Sequence, residues 1–123
     1  MTPTDLGSLA YLAGYVDADG CVRFSGGTPR IEVGGVYPAV LEMLQRMFGG
    51  PLNSIANVDE RFYYRWEMSG RGAKHAMQTL RPWLQVKGGQ VDLILRADEL
   101  PPGPERRGLE EQISALKHWG YRR

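Results

Sequence analysis

A chain of 123 residues has room for one domain with one core, and at 42% hydrophobic and 24% charged residues it has the makeup of an ordinary globular protein. The net charge of +1 argues against a partner held by bulk positive charge. No apolar run approaches the ~20 residues that span a bilayer, so no membrane partner is expected.

Thr4 reads as an N-cap, with Asp5 in the first turn of a helix that runs to about Val16. Leu6 to Val16 carries no charge and holds Gly7, Ser8, Ala10, Ala13 and Gly14. Asp17-Ala18-Asp19-Gly20 ends it. From Cys21 to Gly34 the chain alternates as two short strands around Ser25-Gly26-Gly27-Thr28-Pro29, a hairpin signal. Val22, Phe24, Ile31 and Val33 face inward; Arg23, Ser25, Arg30 and Glu32 face outward.

Pro38 opens a second helix in which Val40, Leu41, Leu44, Met47 and Phe48 recur at helical spacing, and Gly49-Gly50 closes it. A second hairpin joins Leu52–Asn57 to Arg61–Met68 through Val58-Asp59-Glu60. Its second strand is the clearest in the chain, with Phe62, Tyr64, Trp66 and Met68 inward and Arg61, Tyr63, Arg65 and Glu67 outward. Ser69 caps a helix over Arg71–Leu80, and Pro82 ends it. Lys87-Gly88-Gly89 turns into a helix over Gln90–Leu100. The Pro101-Pro102-Gly103-Pro104 linker leads to a last helix over Glu105–Trp119 and a frayed Tyr121-Arg122-Arg123 end. The expectation is one α+β domain over 1–123, in the order α-β-β-α-β-β-α, with a four-stranded antiparallel sheet backed by helices and no internal repeat.

The single Cys21 excludes an internal disulfide, is read as a small packing residue, and suits a reducing cytoplasm. The start of the chain lacks the basic region of a signal peptide, so the protein is expected not to be secreted. His75 and His118 stand far apart without a Cys partner, which leaves no zinc set. Between Arg61 and Lys87 six basic residues (Arg61, Arg65, Arg71, Lys74, Arg81, Lys87) meet one acid, Glu67. Such a stretch either tracks phosphates or is ordinary solvated charge.

The most informative stretch is Leu12-Ala13-Gly14-Tyr15-Val16-Asp17-Ala18-Asp19-Gly20. An apolar helix with a small-residue face, built from Ala10, Ala13 and Gly14, lets a second such helix come close. Their terminal carboxylates would then meet, as hard divalent cations require. The nine residues resemble the signature of the LAGLIDADG homing endonucleases, matching it at seven of nine places, with Tyr15 and Val16 where the signature has Leu and Ile. The later runs Phe48-Gly49-Gly50 and Arg81 to Leu95 are also similar to the single-motif branch of that family, over most of residues 6–100.

The resemblance implies a site-specific, metal-dependent double-strand DNA endonuclease acting as a homodimer on a pseudo-palindromic site. No small-molecule substrate is expected. It implies a LAGLIDADG-like fold whose sheets form a saddle in the major groove, with motif helices packed along the two-fold axis. Cleavage would leave short overhangs, in the service of intron or intein mobility. Asp19 matches the acid that binds Mg²⁺ or another divalent cation, Ala18 a neighbour whose backbone carbonyl helps ligate, and Lys87 the basic residue at the cleavage centre. Asp17 is either a second ligand or a brace for the helix end. Base readout would come from Arg23, Ser25, Arg30, Glu32, Arg61, Tyr63, Arg65 and Glu67, with Ser54 and Asn57 as additions, since Arg pairs with guanine edges and Glu accepts from cytosine. Three features depart from the family pattern. The first hairpin is short, Val33-Gly34-Gly35-Val36 carries no polar side chain where the family often has one that positions water, and the net charge of +1 is low for a protein that holds a long duplex. The alternative is a catalytically weak or inactive DNA- or RNA-binding relative, such as an intron splicing helper (a maturase) or a regulator.

Overall fold

The computed structural model of the chain describes residues 6–58 and 61–120. The expected Thr4 cap, the Asp59-Glu60 turn and the Tyr121-Arg122-Arg123 end lie outside the described residues.

Helix α1 (Leu6–Asp19) buries Leu12, Ala13 and Val16 completely. It runs three residues past the expected end at Val16. Two acids at a helix C-terminus oppose its dipole, but tertiary bonds made by Asp17, described below, outweigh that cost. Gly20 then turns the chain straight into the sheet. A Cβ there would lie 2.8 Å from the Val16 carbonyl oxygen, so no other residue fits without a shift.

Strands β1 (Gly20–Ser25), β2 (Thr28–Gly35), β3 (Leu52–Val58) and β4 (Arg61–Ser69) form one antiparallel sheet in the order β1-β2-β4-β3. The β1–β2 hairpin turns on Gly26 and Gly27, at φ 62° and 76°. Two successive left-handed residues are what a two-residue hairpin loop demands, and only glycine adopts them freely. Val22, Ile31, Val33 and Trp66 are buried on the inner face as expected, while Phe62 is exposed.

Helix α2 (Pro38–Phe48) lays Val40, Leu41 and Leu44 into the core. The indole Nε1 of Trp66 donates to the Gly49 carbonyl at 2.8 Å, tying the end of α2 to β4. Helix α3 (Gly70–Leu80) buries Ala73, Ala76, Met77 and Leu80. Ser69 stands at its N-cap position but makes no side-chain capping bond, contrary to expectation. Helix α4 (Gly88–Glu99) starts two residues before the expected Gln90 and buries Val91, Ile94 and Ala97. Helix α5 (Pro104–Gly120) adds Leu109 and Ile113, and its Arg106 guanidinium stands 5.3 Å over the Phe24 ring. No described helix is long and apolar enough to cross a membrane. The helices back one face of the sheet. On the opposite face none of the described residues is buried.

Candidate active site

The two acids of the motif have separate surroundings. The Asp17 carboxylate accepts three backbone N–H groups, from Gln85 at 2.8 Å, Val86 at 3.1 Å and Lys87 at 2.9 Å. The Lys87 Nζ donates back to the Asp17 carbonyl oxygen at 2.7 Å. Asp17 is therefore the brace of the two readings, since its oxygens are spent on the loop that enters α4. The same clamp delivers the half-buried Lys87 ammonium to the negative end of α1, where a cation is favoured. Asp19 is exposed, and no donor among the described residues reaches its carboxylate. Ala18 is exposed beside it. Lys87 and Asp19 are thus brought to one helix end, with Asp17 holding the frame.

Up the helix from Asp19, Gly7, Ala10, Gly14 and Ala18 are all exposed, at spacings that put them on one stripe. A Cβ added to Gly7 or Gly14 would meet nothing within 4 Å. Of the three small residues expected at a helix–helix contact, Ala10 and Gly14 lie on this stripe and Ala13 does not. Ala13 is fully buried against the chain's own core. The spacing of Leu9, Leu12 and Val16 around Ala13 was the signal for that inward face.

The outer sheet face carries the expected polar set. Arg23 Nη1 donates to Glu32 Oε1 at 3.0 Å, and Arg30 Nε donates to the Ser25 carbonyl at 3.3 Å. Glu32 pairs directly with Glu67 across β2 and β4. Facing acids repel, which costs stability in the free chain. Arg65 approaches Glu67 only to 3.9 Å, and its Nε is a shielded donor with no hydrogen-bond partner. Tyr63 shares this face. The side chain of Arg61 lies outside the described residues. A bulge between Ser54 and Ala56 shifts the register so that Ser54 opposes Tyr64 on the helix side, while Asn53 opposes Arg65 on the outer face. Asn53 thus replaces Ser54 in the outer set, and the side chain of Asn57 lies outside the described residues.

The basic stretch from Arg61 to Lys87 does not form one surface. Lys74 pairs with Asp98 at 3.5 Å in the helical layer. Arg81 grips Asp92 through two bonds of 2.7 and 2.8 Å. This bond holds the Asp92 carboxyl below its ordinary value and pushes the guanidinium of Arg81 up.

The end of β2 carries no polar side chain of its own, yet two phenols fill its place. A Cβ on Gly34 would lie 2.6 Å from the Tyr63 Oη, and one on Gly35 3.2 Å from the Tyr15 Oη. Burial and then the neighbouring Asp19 carboxylate raise the Tyr15 phenol above its ordinary value, with Tyr11, Tyr63 and Tyr37 adding to the same effect. This tyrosine cluster was missed in the sequence because its members come from three separate segments, α1, the link before α2 and β4. Among the described residues no three His, Cys, Asp or Glu side chains gather as a ready metal cluster.

Known structures of the same shape carry a common name. The chain superposes with a TM-score of 0.71 on the homing endonuclease I-CvuI in complex with its target in the presence of calcium, at 22% identity over 88% of this chain and 80% of that one. The chain has the LAGLIDADG homing endonuclease fold. A second structure of I-CvuI, in complex with the I-CreI target in the presence of magnesium and with the DNA not cleaved, gives 0.70 at 22% identity over the same shares. The homing endonuclease I-TnaI gives 0.52 at 14% identity, over 89% of this chain and 95% of that one. No protein-family model and no curated protein matches the chain. Within this fold, the exposed small-residue stripe of α1 that ends at Asp19 and the outer sheet face are covered by no other element among the described residues.

Proposed function

We propose that the chain is a LAGLIDADG homing endonuclease: a site-specific, divalent-metal-dependent enzyme that cuts double-stranded DNA as a homodimer. The observation that carries this reading is the pairing of an unpartnered Asp19 with an open small-residue stripe on the same helix. Glycine inside a helix costs about 1 kcal/mol relative to alanine. Gly7 and Gly14 bear that cost with nothing among the described residues to need the space. A second copy of α1, brought close by a two-fold axis, uses it. The same axis carries one Asp19 from each chain to a shared centre.

One carboxylate per chain is too little for a hard cation, whereas two, with phosphate oxygens from DNA, suit Mg²⁺. The residues fit such an ion, because Asp19 keeps its oxygens free while Asp17 does not. A divalent cation bound there supplies Lewis acidity and a more acidic water. Ala18 offers its backbone carbonyl beside that carboxylate. Lys87, held on the Asp17 carbonyl, places a positive charge where the leaving oxygen develops negative charge.

The outer sheet face holds the duplex. Arg23, Arg30 and Arg65 suit guanine edges, Glu32 and Glu67 suit cytosine, and Asn53 and Ser25 add neutral donors and acceptors. The opposed Glu32 and Glu67 are costly in the free chain and useful against base donors. I-CvuI, of the same fold, is bound to DNA targets with calcium or magnesium present. A two-fold dimer reads a pseudo-palindrome. A role in moving an intron or intein is part of the same proposal.

The test is selection of cleavable sites from a random duplex library with purified protein and Mg²⁺. Recovery of one family of pseudo-palindromic sites is the expected result. Enrichment of bound duplexes that are never cut would replace the nuclease with a binding protein.

A further inference from the structure

The polar set on the outer face has been read as one group of base contacts. One member departs from it. The Tyr63 ring does not stand out from the sheet. It folds back across Gly34, where even a methyl group would collide with its Oη at 2.6 Å and its Cε1 at 3.0 Å. The site of this fold-back matters. Gly20 pairs with Val33, so α1 ends at Asp19 where the chain enters the sheet next to the Val33-Gly34 end of β2. Gly34 pairs in turn with Arg65. Tyr63 therefore lays its hydroxyl over Gly34, at the strand end beside the close of α1 and opposite Arg65, whose Nε has no hydrogen-bond partner. Tyr15, one helical turn before Asp19, presses its own hydroxyl to Gly35 on the other side of the same strand end. Tyr15 feels the charge of Asp19 and the presence of Tyr63, which sets both groups within electrostatic reach of Tyr15.

We infer that Tyr63 belongs to the hydrolytic centre: its hydroxyl orients the attacking water, or the phosphate oxygen beside it, over Gly34. The inference rests on the nuclease reading of Asp19. It gives the glycine at position 34 a purpose, since any side chain on β2 there would displace the phenol. It also supplies from β4 the polar group that Val33-Gly34-Gly35-Val36 lacks. A neutral phenol both donates and accepts a hydrogen bond, so it holds a water without needing to change charge. Its benefit is orientation, and a misplaced reactant costs rate more than affinity.

The test uses the full-length protein on its selected duplex. Tyr63→Phe keeps the ring and removes only Oη. Single-turnover cleavage of fully bound duplex should slow about 100-fold, as a misplaced reactant does, while the dissociation constant in calcium changes less than about twofold. Gly34→Ala, which pushes the intact phenol aside, should slow the bound complex similarly. The double variant should be no slower than the worse single one, because both remove the same contact. A melting temperature unchanged in Tyr63→Phe separates this from a packing defect. Weaker binding with an unchanged rate on bound DNA would return Tyr63 to base readout and overturn the inference. An unchanged rate and unchanged binding would overturn it too. In both cases the unmutated protein still cuts, so the nuclease reading stands. If the unmutated protein cuts no duplex, that reading fails and the inference falls with it.

Discussion

Replacing Asp17 and Asp19 in turn should separate a brace from a ligand. In Asp17→Ala, three backbone donors at 2.8, 3.1 and 2.9 Å lose a charged acceptor at once. Hydrogen bonds to charged groups contribute ~1.5–3 kcal/mol each. The site is partly open, so water recovers much of that for the freed donors. The net loss should be about 2–4 kcal/mol, against a total stability of roughly 5–15 kcal/mol. For a chain of this length each kcal/mol moves the melting temperature by about 3–5 °C, so Asp17→Ala should melt ~6–20 °C lower. Asp17→Asn keeps one acceptor oxygen and should fall between. Asp19→Asn removes a carboxylate that no described donor meets, and should change stability by no more than ~0.5 kcal/mol. In a dimer that brings two such carboxylates together, it should even raise the melting temperature. The assay is thermal unfolding at equal protein concentration, because dimerisation couples stability to concentration. Asp17→Ala melting with the unmutated protein, or Asp19→Asn melting as low as Asp17→Ala, would refute the division of roles.

Gly14→Leu should fill the open stripe on α1 and shift the protein from dimer to monomer in sedimentation at micromolar concentration, with the fold retained, since a Cβ there meets nothing within 4 Å among the described residues. Trp66→Phe should cost about 1–2 kcal/mol in chemical denaturation, from the lost bond to the Gly49 carbonyl and the smaller ring in a fully buried place. Asp92 is held below its usual value of 3.8 by Arg81, so its share of stability is present above that pH and is lost as the pH falls through the lower folded-state value. Asp92→Asn should therefore flatten the acid end of the stability curve and leave the neutral region almost parallel to that of the unmutated protein. Lys87→Met should keep DNA binding near that of the unmutated protein and slow cleavage at least about 100-fold in single-turnover assays.

Short-range patterns carried most of the fold. The alternation of Phe62, Tyr64, Trp66 and Met68 marked β4, and Gly26-Gly27 marked the first hairpin turn, because period and turn chemistry are local. The role of Asp17 was not legible, since its partners lie 68 to 70 residues away and are backbone amides, which any sequence has. The same long reach extended α1 beyond Val16. Nothing within Leu52–Val58 announces the bulge that turns Ser54 away and brings Asn53 out. Lys74 and Arg81 looked like parts of a basic patch because Asp98 and Asp92, which neutralise them, arrive on a later helix. On α1, a segment without charges gave no polar face to orient it, and Ala13 was assigned to the wrong side. The exposed Asp19 with its stripe was legible because the motif is continuous.

The most direct test of the central claim is cleavage of a supercoiled plasmid that bears the selected site, comparing the unmutated protein with Asp19→Asn in Mg²⁺. The account predicts linear product from the unmutated protein, and from Asp19→Asn an uncut plasmid that is still bound at the same site in a gel shift. Equal cutting by Asp19→Asn would remove the paired carboxylates from the reaction and contradict the account.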